Sequence, residues 1–443
     1  MSQPVSFRDA SRFWLKLGFI SFGGPAGQVA LMHSELVDRR RWLSERRFLH
    51  ALNYGMVLPG PEAQQVATYI GWLMHGVPGG LVAGSLFILP SLVLLIALST
   101  VYALWGQLPA LEAVFWALKP AVTAIVLQAA WRVGQRTLHN GVLIAIAVAA
   151  FVGLTLVKLP YPLLIGLAAL VGWLGGRLRP DLFRSNKGHG SADDGSDGDA
   201  IHGDDTPTPA HARFSKRKLA LTLLAAGLAL GLPLAVLSAW NGWNGVLPTM
   251  ARFFTQVALV SFGGAYAVLP YVTQAAVEQF QWLSAGQMID GLALGETTPG
   301  PLIMVVTFVG FMGGWNTPVF GATGSWPAAA AAALTVTWFT FLPSFVFILA
   351  GGPLVEASRD DIRLGGPLTA ITAAVVGVIV NLAVFFAGYV LWPAGAGGSF
   401  DAPALAVLVA ASWVLLRWKW TVLQVIGAAA LVGIARVIIQ SVA

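Results

Sequence analysis

The sequence predicts an all-α polytopic membrane protein: two inverted-topology repeats with broken or re-entrant helices at Gly/Pro motifs. Three observations lead there. The 443-residue chain is 56% hydrophobic and 10% charged, with mean hydropathy +0.73, whereas soluble domains carry about 25% charge. Nearly uncharged runs long enough to cross a bilayer, about 20 residues, stand at Leu81–Leu104, Leu219–Ala239, Ala328–Ala350 and Thr421–Gln440. Finally, one helix-breaking cassette occurs twice, as "SFGGPAGQ" at Ser21–Gln28 and "SFGGAYAV" at Ser261–Val268. Paired glycines suit a continuous helix poorly.

Composition narrows the function classes. Met1–Leu17 scatters Arg8, Asp9, Arg12 and Lys16 among apolar residues, so no cleavable signal peptide is expected. The formal charge of +6 is explained by cytoplasmic loops rich in Lys and Arg, not by nucleic acid. The chain has no cysteine, which excludes disulfides, thiolate metal sites and thiol catalysis. It also shows no His/Asp/Glu metal spacing, no Walker loop and no nucleophile motif. No cofactor or metal is expected, and the protein is not expected to be an enzyme. A membrane-embedded enzyme is the alternative of a different class.

Three regions follow one another. Residues 1–180 are expected to form an N-terminal repeat unit. Residues 181–215, rich in Gly, Asp, Ser and Pro, form a disordered cytoplasmic linker. His189, His202 and His211 there read as solvated tether rather than metal ligands. Residues 216–443 form the C-terminal repeat, with one extra span, Leu219–Ala239, before it. A shift of 240 residues lays Ser21–Gly24 on Ser261–Gly264, Trp42–Ser44 on Trp282–Ser284, Gly55 on Gly295 and Pro59-Gly60-Pro61 on Pro299-Gly300-Pro301. One residue of slippage then matches Thr68–Trp72 with Thr307–Phe311. Constant register over some forty positions marks internal repeats, as in many secondary transporters.

Charge sets the orientation of each half. The connector Asp38–Arg47 holds five arginines, and its counterpart Glu278–Gln287 holds no Lys or Arg. Conversely, neutral Trp105–Pro109 corresponds to charged Glu356–Arg363, and Arg132 and Arg136 correspond to an uncharged stretch around Ala387–Gly398. Positive charge changes sides between copies, so the repeats are inverted; the extra span supplies the crossing that flips the second. The N-terminus and linker are then cytoplasmic and the C-terminus external. Phe13–His33 and Phe48–His75 are either single crossings or re-entrant hairpins. Charge favours hairpins, because these place the five-arginine connector inside.

Backbone at membrane depth is left unpaired only where it is buried in protein or lines a polar cavity. Pro25 and Pro61 sit where proline suits a new helix; Pro301 repeats Pro61, and Ala265 replaces Pro25. Each break exposes the N–H groups of a helix start, and so forms an anion site. Candidate substrate contacts are Gly23, Gly24, Pro25 and Gln28, then Pro59, Gly60 and Pro61, with their repeats Gly263, Gly264, Pro299, Gly300 and Pro301. Double glycines also serve tight helix packing, but four breaks at equivalent positions favour a substrate site. Lys16 and Lys119 offer positive charge to an anion, or anchor at an interface. Arg12 reads as an interface anchor. Glu62 and Glu296 flank the two Pro-Gly-Pro breaks and are the candidates for proton coupling; capping a helix start is the plainer role of such a carboxylate. Asn53, Gln64, Gln65 and Thr298 are further polar lining.

"SFGGPAGQ" with Glu35 downstream, "LPGPEAQQVATYIGW", "SFGGAYAVLPYV" and "TTPGPLIMVVTFVGF" together resemble the chromate ion transporter family in its long, two-domain form. The resemblance covers both halves and stops at the linker; Ala265 stands where the family pattern expects a further glycine. It implies export of chromate, a tetrahedral dianion, across the cytoplasmic (inner) membrane of a bacterium. It also implies coupling to the proton motive force and chromate resistance. The implied partners are chromate, protons and the lipid bilayer, with no nucleic acid; a homodimer is compatible. Sulfate has the same charge and nearly the same shape, so a sulfate or other oxyanion transporter is the alternative.

Overall fold

The computed structural model describes residues 5–183, 201, 209–357, 365–395 and 397–442. Among these the chain is all helical, with seven helices long and apolar enough to cross a membrane. Most of the linker, including His189 and His202, and most of Glu356–Arg363 lie outside the described residues.

The first half begins with two short broken pairs. Helix α1 (Phe7–Ile20) stops at Ser21, and α2 (Gly24–His33) starts after a two-residue gap and continues as a π-helical turn, Ser34–Arg39. α3 (Glu45–Val57) stops at Leu58, and α4 (Glu62–Trp105) starts at Glu62. α4 is interrupted at His75–Gly76, where both residues leave helical geometry. The 14-residue α1 and 13-residue α3 are about 20 Å long, short of an apolar core of roughly 30 Å. Both pairs turn back: the Arg40 guanidinium lies 5.0 Å from the Phe13 and Trp42 ring centres, and His75 Nε2 lies 2.9 Å from Val5 O. The start of α1, the arginine connector and the His75 bend therefore share one end of the molecule. Phe13–His33 and Phe48–His75 are hairpins, not single crossings.

Two helices long enough to span, α5 (Pro109–Thr137) and α7 (Tyr161–Leu178), follow, with the shorter apolar α6 (Gly141–Thr155) between them. α8 (Lys216–Asn241) has no buried residue, and its leucines are largely exposed. So apolar a surface is satisfied by lipid.

The second half repeats the first. α9 (Val246–Leu259), α10 (Ala265–Thr273) with a π-helical turn at Gln274–Gln279, and α11 (Ala285–Thr297) match α1 to α3. α12 (Val305–Asn316) and α13 (Trp326–Ala357) match the two arms of α4. α14 (Gly365–Leu391), α15 (Ala402–Arg417) and α16 (Val422–Val442) match α5 to α7. Unusual backbone repeats too, with left-handed Arg41 (φ 51°) answered by Gln281 (φ 52°).

The long arm of α4 and α13 pack side by side in opposite directions. Trp326, at the start of α13, donates through Nε1 to Thr100 Oγ1 near the end of α4 (3.0 Å). At the other end, Tyr54 donates to Phe347 O (2.8 Å), and Tyr69 donates to Glu356 at the end of α13. The arginine connector lies at that second end. Gln281 and Ser284 of the second connector line a cavity with Glu112 and Lys119, beside the end of α4. At the arginine connector, Glu35 is buried and accepts from Arg39 Nη1 (2.8 Å) and Arg40 Nε (3.3 Å). Burial raises its pKa, but the two guanidiniums outweigh this and hold it below the ordinary carboxylate value.

Two described residues of the linker touch the first half. Ile201 N–H donates to Arg41 O (3.0 Å), and His211 Nε2 lies 2.9 Å from Trp72 O.

Candidate functional site

All four breaks use glycine in the left-handed region. Gly23 and Gly24 have φ of 90° and 73°, Gly263 and Gly264 of 81° and 89°, Gly60 of 127° and Gly300 of 98°. Residues with a Cβ rarely adopt such angles. The glycines therefore serve chain reversal first. Pro25 lies in the first turn of α2 as expected, whereas Pro61 is the residue just before α4 and Pro301 precedes a 3₁₀ turn, Leu302–Met304, that leads into α12.

The breaks meet crosswise. Gly60 N–H donates to Ser261 O (2.8 Å), and Gly300 N–H donates to Ser21 O (2.7 Å). Each Pro-Gly-Pro break is thereby tied to the Ser-Phe-Gly-Gly break of the other half. Gln28, fully buried, reinforces one crossing by donating from Nε2 to Gly300 O (2.5 Å). The structure thus gathers Gly23, Gly24, Pro25, Gln28, Pro59, Gly60 and Pro61 with Gly263, Gly264, Pro299, Gly300 and Pro301. Gln65 donates to Pro59 O (2.7 Å), and Thr298 folds back on Gly295 O (2.9 Å).

Both coupling candidates border these breaks. Glu296 accepts from Tyr266 Oη (2.5 Å), which closes the gap between the two breaks of the second half. Glu62 is half-buried in the first turn of α4. Asn53 is exposed on α3, and Gln64 is buried and bonded to Thr68 (3.1 Å).

The two lysines go elsewhere. Lys16 is on the exposed side of α1, away from buried Phe13, Trp14 and Leu17. Lys119 lies 3.6 Å from Asp290, and Tyr102 Oη also donates to that carboxylate (2.8 Å). Lys119 and Glu112 line two adjoining cavities of about 640 and 430 Å³. Lys119 therefore belongs to a polar vestibule, not to the breaks.

Sequence reading missed Tyr266, Asp290 and the carbonyls of Ser21 and Ser261. It also missed Ser91 and Ser344, buried in α4 and α13. A signal was present for the serines, since Leu89-Pro90-Ser91 recurs as Leu342-Pro343-Ser344.

Fold and site define a polytopic α-helical membrane protein with duplicated, broken helices meeting at a central crossing. The sequence profile of the chromate transporter family matches residues 9–173 and 248–434, and the chain belongs to that family. It is 32% identical over 384 residues to a chromate transport protein of Pseudomonas aeruginosa, covering 85% of this chain and 80% of that one. It is 27% identical over 430 residues to a chromate transport protein of Cupriavidus metallidurans, covering 97% and 93% of the two chains. A probable chromate transport protein of Synechococcus elongatus is 26% identical over 383 residues, covering 86% and 84%. No solved structure matches.

Proposed function

We propose that this chain is a secondary transporter that exports chromate across the bacterial cytoplasmic membrane, coupled to the proton motive force, and so confers chromate resistance. Family membership supports chromate as the cargo. The observation that carries the mechanism is the crossing: Gly60 N–H to Ser261 O and Gly300 N–H to Ser21 O bring four helix starts together. Helix starts present N–H groups and the positive end of the helix dipole, which suits a tetrahedral dianion. Such a site at the interface of two repeats is how many secondary transporters hold substrate.

In this reading residues 1–180 and 216–443 are inverted-topology repeats joined by a cytoplasmic linker, residues 181–215. The N-terminus is cytoplasmic and the C-terminus external. Gln107 and Gln281, which border the vestibule cavities, face outward, and Arg40 faces inward. Cysteines introduced singly at these positions test the topology, because the chain has none of its own. An impermeant thiol reagent should label positions 107 and 281 in intact cells and spare position 40. Equal labelling of all three would end the inverted-repeat reading. Glu62 and Glu296 carry the coupling proton.

Radiolabelled chromate flux in proteoliposomes tests the function. An imposed pH gradient should drive uphill chromate movement, and sulfate, of the same charge and nearly the same shape, should compete. Uphill sulfate movement that ignores chromate would assign the chain to the sulfate alternative. Flux indifferent to the gradient would remove proton coupling.

A further inference from the structure

Leu89-Pro90-Ser91 lies within α4 and Leu342-Pro343-Ser344 within α13, each on the long helix of its half. Both serines have zero exposure, and neither hydroxyl has a hydrogen-bond partner. Ser99 of α4, also fully buried, shares this state, whereas the threonines of both helices do not. A buried helical hydroxyl ordinarily bonds to the carbonyl four residues back, as Thr337 and Thr340 do in α13 (2.8 and 2.7 Å) and Thr100 does in α4 (2.8 Å). A buried polar group without a partner costs stability and calls for an explanation.

The position of the serines supplies one. Each is set against the Pro-Gly-Pro break of the opposite half. A Cβ built on Gly300 would fall 2.9 Å from Ser91 Cβ and 3.3 Å from its Oγ, and one built on Gly60 would collide with Ser344 Oγ. Each serine is therefore packed directly against the Pro-Gly-Pro break of the opposite half, in a crossed arrangement that follows the crossing of the breaks themselves. Ser261 Oγ, Gln28 Oε1 and Gln65 Oε1 nearby are likewise buried without partners.

We propose that Ser91 and Ser344 are a matched pair of substrate-binding hydroxyls, which donate to the tetrahedral oxyanion as it passes the Pro-Gly-Pro breaks. The inference rests on the reading that the crossed breaks form the anion site, and adds two side-chain donors to its backbone N–H groups. In this structure the hydroxyls are unbonded. An oxyanion, which only accepts hydrogen bonds when fully ionised, completes them. Removing either hydroxyl should then weaken substrate binding without weakening the fold.

The test uses the full chain in detergent and in proteoliposomes, with Ser91→Ala, Ser344→Ala and the double variant. Ligand-free melting temperatures should stay level or rise, since each change removes an unsatisfied buried polar group. The chromate concentration giving half of the maximal thermal shift should rise about tenfold for each serine, as expected for one hydrogen bond to a charged group, and KM for chromate flux should rise with it. Ligand-free melting that falls in step with affinity would make the serines structural and overturn the proposal. An unchanged chromate shift in both single variants would also overturn it, leaving an internal water as the partner of the hydroxyls. A wild-type protein with no chromate shift at all would instead remove the underlying anion-site reading.

Discussion

The Ser-Phe-Gly-Gly break of the first half and its repeat share a pair of positive-φ glycines, the first of them exposed in both copies, but differ in how far the following turn is enclosed. At Ser21–Gly24 a Cβ on either glycine would meet nothing within 4 Å, and Phe22 and Gly23 are exposed. At Ser261–Gly264 the chain is more enclosed, with Gly264 and Ala265 buried. Two positions account for the contrast. Tyr266 and Glu296, bonded at 2.5 Å, join α10 to α11; the register puts Ala26 and Met56 at the same places in the first half. Duplication kept the helix starts, and divergence left one open while fastening the other with a titratable bond. On the proposed function, the open first break suits entry of the anion.

The two Pro-Gly-Pro breaks set the outer limit of this contrast, because both are buried and tight. Gly60→Ala should have the largest effect. Its φ of 127° is unfavourable for alanine, and the new Cβ would strike Ser344 Oγ and lie 2.7 Å from Gln65 Nε2. Strain of about 1–3 kcal/mol adds to overpacking of about 1–3 kcal/mol. The melting temperature should drop sharply and little inserted protein should be recovered. Normal melting would show that the crossing is looser than described.

Closing the first break tests the contrast directly. Ala26→Tyr with Met56→Glu installs the second-half pair in the first half. Both native residues border the exposed break, and Met56 is 45% exposed, so the protein should insert and fold. Chromate flux should fall at least tenfold. Flux at the wild-type rate would mean the open break is not the entry.

Glu296→Gln keeps the acceptor for Tyr266 and removes titration. Gradient-driven transport should be lost, with chromate counterflow retained; Tyr266→Phe should change coupling less, because the carboxylate remains. If Glu296→Gln and Glu62→Gln each leave the gradient dependence intact, the proton moves elsewhere. The smallest effect is expected from the linker. Deleting Ser191–Pro209 removes the Ile201 bond to Arg41 but no spanning helix, so resistance should stay within about twofold at equal expression.

Much of this fold was legible in the sequence, and the reason is chemical. Glycine and proline report backbone geometry directly, so the pairs at Gly23, Gly60, Gly263 and Gly300 marked breaks that the structure retains. Long apolar runs marked the spans, and His75 was read as the end of the segment that bends there. What escaped depends on tertiary placement. Which break meets which is decided by carbonyls, Ser21 O and Ser261 O, that carry no residue signature. Serine is common in membrane helices, so Ser91 and Ser344 became informative only once their hydroxyls were seen without partners. Lys119 was grouped with the breaks because any buried-looking cation draws attention; its partner, Asp290, lies 171 positions away and no periodicity links them.

The most direct measurement is the chromate-dependent rise in melting temperature of wild type, Gly23→Ala and Gly242→Ala. A ligand that binds only the folded state must raise it. Gly23 (φ 90°, ψ 20°) and Gly242 (φ 74°, ψ 156°) both have positive φ with open space at the Cβ position; alanine costs about 1–2 kcal/mol at Gly23 and more at Gly242, whose backbone region is nearly exclusive to glycine. Only Gly23 is at a break. Gly242→Ala should lose at least as much ligand-free stability as Gly23→Ala and still keep the chromate shift, which should be abolished in Gly23→Ala, where a methyl group occupies the approach to the helix start. A full chromate shift in Gly23→Ala would place the anion away from Ser21–Gln28 and contradict the helix-start mechanism.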